Sequence, residues 1–144
     1  MFSKAREYGI RALIFITLKS TKGERVNLVD ISEEIASPPA FTAKILQKLV
    51  KGAVIDSVKG PHGGFHISEK NSAHIVLAEI VHIIDGDTFY KGCVLGLKEC
   101  TSQNPCPLHI KFNAVRTDLN KMLQETSLKD LSSQLENGTA VLKL

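Results

Sequence analysis

Apolar positions in the first third of the chain recur every three or four residues, and the recurrence is cut where a helix cannot continue. Ala5, Tyr8, Ala12, Phe15 and Ile16 share one face and predict a helix over residues 3–19, with Ser3 as its cap. Thr21-Lys22-Gly23-Glu24 reads as a turn. A second helix is predicted from Leu28 to Ala36, with Asn27 as N-cap, Asp30 in the first turn, and Leu28, Ile31 and Ile35 inward. Ser37-Pro38-Pro39 breaks the chain and restarts it, because proline needs no N–H partner in the first turn of a helix. The third helix then runs to Lys51, with Phe41, Ile45, Leu46 and Leu49 inward. Ala40, Ala43, Lys44, Gln47, Lys48 and Lys51 fall on its other face. Two short helices at this spacing, the second showing small and basic residues, make a helix-turn-helix.

The period then changes. Residues 53–59 read as a strand, Gly60-Pro61-His62-Gly63-Gly64 as a tight turn, and Phe65-His66-Ile67 as the returning strand. A hairpin directly after a recognition helix is a wing. Glycines such as Gly63 let backbone approach a phosphate chain closely, and Lys59 stands at the shoulder of the hairpin. A fourth helix is predicted over residues 72–84, with Ile75, Ala78, Ile80, Val81 and Ile84 inward, ended by Asp85-Gly86-Asp87. Pro107 opens a long helix reaching about Gln124. Its stripe of Leu108, Phe112, Val115, Leu119 and Met122 has little left in one small domain to cover it, so a two-fold partner helix is expected there. Thr126 or Ser127 caps a last helix over residues 128–135. The expected fold is mainly α with a small β-hairpin. A winged helix-turn-helix spans 1–85 and a cysteine loop 86–107. The dimerisation helix and short C-terminal helix span 108–136, followed by a tail over 137–144.

At 144 residues the chain can bury one core. No apolar run approaches the length of a membrane span. Arg6, Glu7 and Arg11 interrupt the apolar residues near the start, unlike the core of a signal peptide, so a cytoplasmic protein is expected. Net charge is only +3, but its distribution is uneven. Residues 1–70 carry eight Lys and three Arg against seven acidic residues, whereas residues 71–144 carry six Lys and one Arg against eight. The basic excess lies in the half with the helix-turn-helix, as a nucleic-acid binder requires.

All three cysteines fall in one short stretch, Cys93, Cys100 and Cys106, spaced C-x6-C-x5-C and followed by Pro-Leu-His109. In a reducing compartment they are thiols or metal ligands. Thiolates bind soft metals, and an iron–sulfur cluster takes about four protein ligands. His109, three residues after Cys106 at the start of the long helix, is the candidate fourth. The spacings are wide for a structural zinc knuckle. A metal-free thiol switch needs only two neighbouring cysteines. Buried structural cysteines would sit on a periodic apolar face rather than in a polar loop. His74 and His82 read as helix-face or core residues, and His62 and His66 as wing residues, of which His62 can meet a phosphate. No nucleophile–base pair and no nucleotide loop is present, so an enzyme is not expected.

With these pieces in order, the chain resembles the IscR/NsrR-type family of winged-helix transcription regulators over nearly its whole length. The resemblance rests on AREYGIRAL from Ala5, VNLVDISEEIA from Val26, the wing VKGPHGGF from Val58, and the cysteine loop ending CPLH at His109. It implies a homodimer crossing through its long helices, bound to a palindromic double-stranded operator and controlled by an iron–sulfur cluster that senses iron, redox state or nitric oxide. It implies Cys93, Cys100 and Cys106 as cluster ligands. The IscR-like pattern makes His109 the fourth; the NsrR-like pattern uses an acidic residue of the first helix of the other subunit, and Glu7 stands at that place. We favour His109 with a two-iron cluster (2Fe-2S), with a four-iron cluster (4Fe-4S) and Glu7 as the alternative. Where IscR-like proteins carry an acidic and an amide reader side by side, this chain has Ala43 and Lys44, which predicts a different operator. Lys59 replaces a frequent arginine before the Gly-Pro of the wing, keeping the charge but losing the planar fork.

The expected DNA contacts are therefore Ala40, Thr42, Ala43, Lys44, Gln47 and Lys48 on the third helix, and Lys59, His62 and Gly63 on the wing. Two other readings stand beside this one: a metal-free winged-helix regulator using its thiols as a redox switch, and a small electron-transfer protein.

Overall fold

The structure, a computed structural model, describes residues 2–143 and, within them, all side chains but those of Thr88 and Phe89. Its elements are α1 (Lys4–Thr21), α2 (Leu28–Glu34), α3 (Pro39–Lys51), β1 (Asp56–Val58), β2 (Gly64–His66), α4 (Glu69–His74), α5 (Leu77–Asp85), α6 (Thr88–Lys91), α7 (His109–Glu125) and α8 (Leu128–Glu136). The architecture is mostly helical with one two-stranded antiparallel hairpin.

The local signals that start the helices are met. Ser3 Oγ accepts from the Arg6 N–H at 3.2 Å, and Asn27 Oδ1 from the Asp30 N–H at 2.9 Å. α3 starts on Pro39 and stops at Gly52, where the Val54 N–H reaches back to the Leu49 carbonyl at 3.0 Å. That turn puts Val54 and Ile55 into the core, so the first strand begins at Asp56 rather than at residue 53. In the hairpin Asp56 faces His66, Ser57 faces Phe65, and Val58 faces Gly64. Phe65 also exchanges backbone hydrogen bonds with Val26, at 3.0 and 2.8 Å, tying the wing to the loop before α2.

Leu13, Ile16, Ile31, Ile35, Leu46, Leu49, Ile80 and Ile84 form the centre of the core. The buried face of α1 is centred on Gly9, Leu13, Ile16 and Thr17, one step round from the expected stripe, and it includes Arg6. The guanidinium Nε of Arg6 lies 2.9 Å from Asp85 Oδ2, which also accepts from Ser3 Oγ at 2.6 Å. A charge that reads as solvent-facing in the sequence is thus paired across the α1–α5 contact.

The single helix predicted over residues 72–84 is two helices. Ile75 and Val76 are extended, and Val76 pairs with Ser127. The Leu77 N–H donates to the Thr126 carbonyl at 3.0 Å. The backbone leaves the helix because the link between α7 and α8 offers it a partner. α8 then packs on α1 and α4, with Leu128 fully buried, so the last helix joins the core of the winged domain.

Candidate metal centre and nucleic-acid interface

A chain of tight turns gathers the thiols. The Gly96 N–H bonds the Cys93 carbonyl at 2.9 Å, with Gly96 at φ 72°. Thr101 and Asn104 exchange backbone bonds at 3.1 and 3.2 Å, and the His109 N–H bonds the Cys106 carbonyl at 3.0 Å. Arg116, whose guanidinium lies 5.2 Å from the centre of the Phe112 ring, donates to the Gly92 carbonyl and pins the start of the loop to α7.

The outcome is three half-buried thiols whose sulfurs all lie within 4.8 Å of one another. Cys93 Sγ and Cys106 Sγ are 3.6 Å apart, too far for a disulfide. Two thiolates on one tetrahedral metal stand about 3.8 Å apart, from metal–sulfur bonds of about 2.3 Å. The observed separation therefore fits a shared metal edge. A cavity of about 40 Å³ lies between the sulfurs, His109, Phe112 and Arg116.

Backbone N–H groups converge on the sulfurs. The N–H of Leu97, and behind it that of Leu95, draws the Cys93 thiol down to about 7 against partial desolvation. The Cys106 N–H points at Cys100 Sγ at 3.4 Å and also favours the thiolate there. Desolvation and the neighbouring Cys106 and Cys93 sulfurs outweigh it and leave Cys100 above the ordinary thiol value. Donors aimed at thiolates are what an iron–sulfur cluster needs around its ligands. The residues present fit such a group.

His109 lies beside the three thiols, with Nδ1 3.2 Å from Cys100 Sγ and Nε2 3.5 Å from Asn113 Nδ2. Glu7 is half-buried on α1, and its carboxylate takes the Lys4 ammonium at 2.6 Å. That bond holds its carboxyl below the usual value.

The predicted DNA face divides. Ala40, Lys44 and Gln47 are exposed on α3, with Ala43 half-buried beside them. Thr42 is a correction. It is 1% exposed, and its hydroxyl bonds Ser37 Oγ at 2.9 Å and the Pro38 carbonyl at 3.0 Å. The inward stripe of α3 is Thr42, Ile45, Leu46 and Leu49, and Phe41, expected inward, is 37% exposed with its ring edge-on to Tyr8. The spacing of 42, 45, 46 and 49 is the better helical period, and it was available in the sequence. Lys48 is exposed along its stem, but its ammonium donates to the Ile84 carbonyl at 2.8 Å.

On the wing, Lys59 and His62 are exposed. Gly63 closes the turn: a Cβ there would lie 2.0 Å from the Val58 carbonyl oxygen. Gly64, at φ 132°, leaves room for the Val26 backbone.

A helix-turn-helix with a hairpin wing, followed by a loop whose three thiols are close enough to hold one metal ion, defines the class of winged-helix regulators. Residues 2–134 match the Rrf2 family, described as an iron-dependent transcriptional regulator, and the chain belongs to that family. A helix-turn-helix-type transcriptional regulator of Aquifex aeolicus (strain VF5) is 31% identical over 134 residues, covering 91% of this chain and 90% of that protein. The transcriptional regulator IscR of Photorhabdus laumondii is 28% identical, over 93% of this chain and 79% of its own length. The regulator NsrR of Oceanobacillus iheyensis is 26% identical, over 96% and 94%. Among solved structures, IscR of T. potens superposes with a TM-score of 0.74 at 18% identity, over 98% of this chain and 92% of that one, which shows the shared fold. The protein is a DNA-binding transcriptional regulator of the IscR/NsrR type, and its thiol triad fits an iron–sulfur cluster. No helix among the described residues is long and apolar enough to cross a membrane.

Proposed function

We propose that the protein is a homodimeric operator-binding regulator whose affinity is set by an iron–sulfur cluster on Cys93, Cys100, Cys106 and His109. The observation that carries this reading is the position of the triad. It lies in the segment that leads from α5 of the winged domain into the start of α7, the helix with the uncovered apolar stripe. A bound cluster supplies a redox-active, oxygen- and nitric-oxide-sensitive centre. The chain's own residues do the rest: the turns of the loop bring the Cys93 and Cys106 sulfurs to 3.6 Å, and Arg116 holds the loop's first turn against α7.

His109 is favoured over Glu7 because its Nδ1 already meets Cys100 Sγ, whereas the Glu7 carboxylate is held by Lys4. With His109 as the fourth ligand, the reading takes the two-iron form of the IscR-like pattern. Dimerisation is supported by α7. Leu108 is 41% exposed, Val115 49% and Met122 43%, all on the predicted stripe. A second copy of α7 related by a two-fold axis would cover them, and the two recognition helices would then read a palindrome.

On DNA, α3 enters the major groove with Ala40, Ala43, Lys44 and Gln47, and Lys59 and His62 reach the neighbouring groove from the wing. A cluster held by Cys93, Cys100, Cys106 and His109 would fix the loop before α7 and so favour one spacing of the two winged domains over another. The test is operator affinity at fixed salt for cluster-loaded protein and for Cys100→Ala. A change of fivefold or more, on the order of ordinary allosteric coupling, supports the switch. Equal affinity overturns it.

A further inference from the structure

The root of the cysteine loop is also where the recognition helix is tied down. α5 ends at Asp85, and Gly86, at φ 67°, turns the chain toward α6 and the thiols. The last carbonyls of a helix lack intrahelical donors and carry the negative end of its dipole, so a cation there fills a real vacancy. Lys48 Nζ, from the third turn of α3, donates to the carbonyl of Ile84 at 2.8 Å.

Two close approaches fix the same contact. A Cβ on Gly52, at the end of α3, would lie 2.8 Å from Ile83 Cδ1. One on Gly9 of α1 would lie 2.4 Å from Ile84 Cδ1 and 3.2 Å from Ile45 Cγ2. The next residue, Asp85, is held by Arg6 and Ser3. The end of α5 is therefore clasped by α1 and α3 together, one residue before the chain departs for the metal loop. Among the described residues, Lys44 and Gln47 make no comparable hydrogen bond to another element.

We propose that Lys48 is a positioning residue and not a DNA contact: it joins the recognition helix to the carbonyl end of α5 at the root of the cysteine loop, so that the state of the loop sets the pose of α3. A lysine on a recognition helix would ordinarily be assigned to a phosphate. Here the ammonium is already used, and using it on DNA would leave the Ile84 carbonyl unfilled. Displacement of Gly86–Lys91 moves that carbonyl first, and Lys48 carries the displacement into α3.

The proposal rests on α3 facing DNA, and its test separates the two ideas. The cluster-loaded full chain is titrated with the duplex it selects from a random library, across a range of salt concentrations. Losing a phosphate contact lowers the slope of log affinity against log salt by about 0.9 per subunit. Lys44→Met and Lys59→Met are expected to flatten the slope by that amount, and Lys48→Met is expected to leave it unchanged. A Lys48→Met slope as flat as that of Lys44→Met overturns the proposal. Amide exchange of the DNA-free protein supplies a second readout. Lys48→Met is expected to speed exchange across residues 84–92 by about threefold or more, given what a charged hydrogen bond is worth, and Lys48→Arg to restore it. Unchanged exchange in Lys48→Met also overturns it. If neither Lys44→Met nor Lys59→Met alters the slope, the interface reading fails, while the exchange experiment still decides the role of Lys48.

Discussion

Gly9→Ala is the sharpest probe of the junction that holds α1, α3 and α5 together. Glycine inside a helix costs about 1 kcal/mol relative to alanine, so alanine stabilises α1 if its methyl has room. It has none. The new Cβ would stand 2.4 Å from Ile84 Cδ1 and 3.2 Å from Ile45 Cγ2, where carbon–carbon contacts are favourable only from about 3.5 Å. Ile84 is 2% exposed and Ile45 4%, so neither can swing into solvent. Overpacking of this kind costs about 1–3 kcal/mol. Set against the propensity gain, a net loss of about 1 kcal/mol remains, equivalent to a fall in Tm of about 3–5 °C for a chain of this size. The assay is thermal unfolding at fixed protein concentration, because an oligomer's stability depends on it. Ile84→Val removes the clashing Cδ1, so the double variant isolates the cause. Gly9→Ala should be neutral or stabilising in the Ile84→Val background, with a coupling of about 1 kcal/mol. Additive effects, or stabilisation by Gly9→Ala in the parent chain, would refute the packing argument.

Three further outcomes follow from the same geometry. Val115→Glu puts a charge on the uncovered face of α7; sedimentation should show monomers, with domain stability changed by no more than about 0.5 kcal/mol, and an intact dimer would place the interface elsewhere. Gly63→Ala drives a methyl to 2.0 Å from the Val58 carbonyl, so operator affinity should fall while circular dichroism shows the helices intact; unchanged affinity would remove the wing from the interface. Asp130, which accepts from the Ser127 N–H at 2.9 Å in the cap of α8, has its carboxyl held below its ordinary value of 3.8, first by that backbone bond and then by the Ser127 side chain. A lowered carboxylate stabilises fully above its unfolded value and loses that contribution as pH falls through the lower folded value. Asp130→Ala should therefore cost about 1 kcal/mol in urea unfolding at pH 7, and progressively less below pH 3.8; a cost independent of pH would mean the carboxylate charge is not what the cap uses.

Most of the fold was legible because its punctuation is local. Ser3, Asn27, Pro39 and the glycines of the wing act on their own neighbours, and they start and stop elements where expected. The break at Ile75-Val76 was hidden. Both residues continue the apolar period of a helix, and what unwinds them is a backbone partner at Thr126-Ser127, far along the chain. The thiol triad was legible from spacing alone, since three cysteines in one polar loop have few other uses. Lys48 was not. Its partner is a main-chain carbonyl, which leaves no mark in sequence, so the residue reads as one more basic group on a DNA-facing helix. Arg6 left a fainter mark: it falls on the same helical stripe as Gly9 and Leu13, and Asp85 ends the apolar run of α5 opposite it.

The central claim is that the triad holds an iron–sulfur cluster with His109. It is tested most directly by purifying the protein without oxygen, recording its visible spectrum, and assaying iron and acid-labile sulfide per chain. The account predicts a coloured protein with about two irons and two sulfides per chain, bleached or spectrally shifted in His109→Ala and unchanged in Glu7→Ala. A Glu7→Ala variant that loses the cluster while His109→Ala keeps it would transfer the fourth ligand to the other subunit. A colourless, iron-free protein after attempted reconstitution would contradict the claim and leave Cys93 and Cys106, 3.6 Å apart, as a thiol pair.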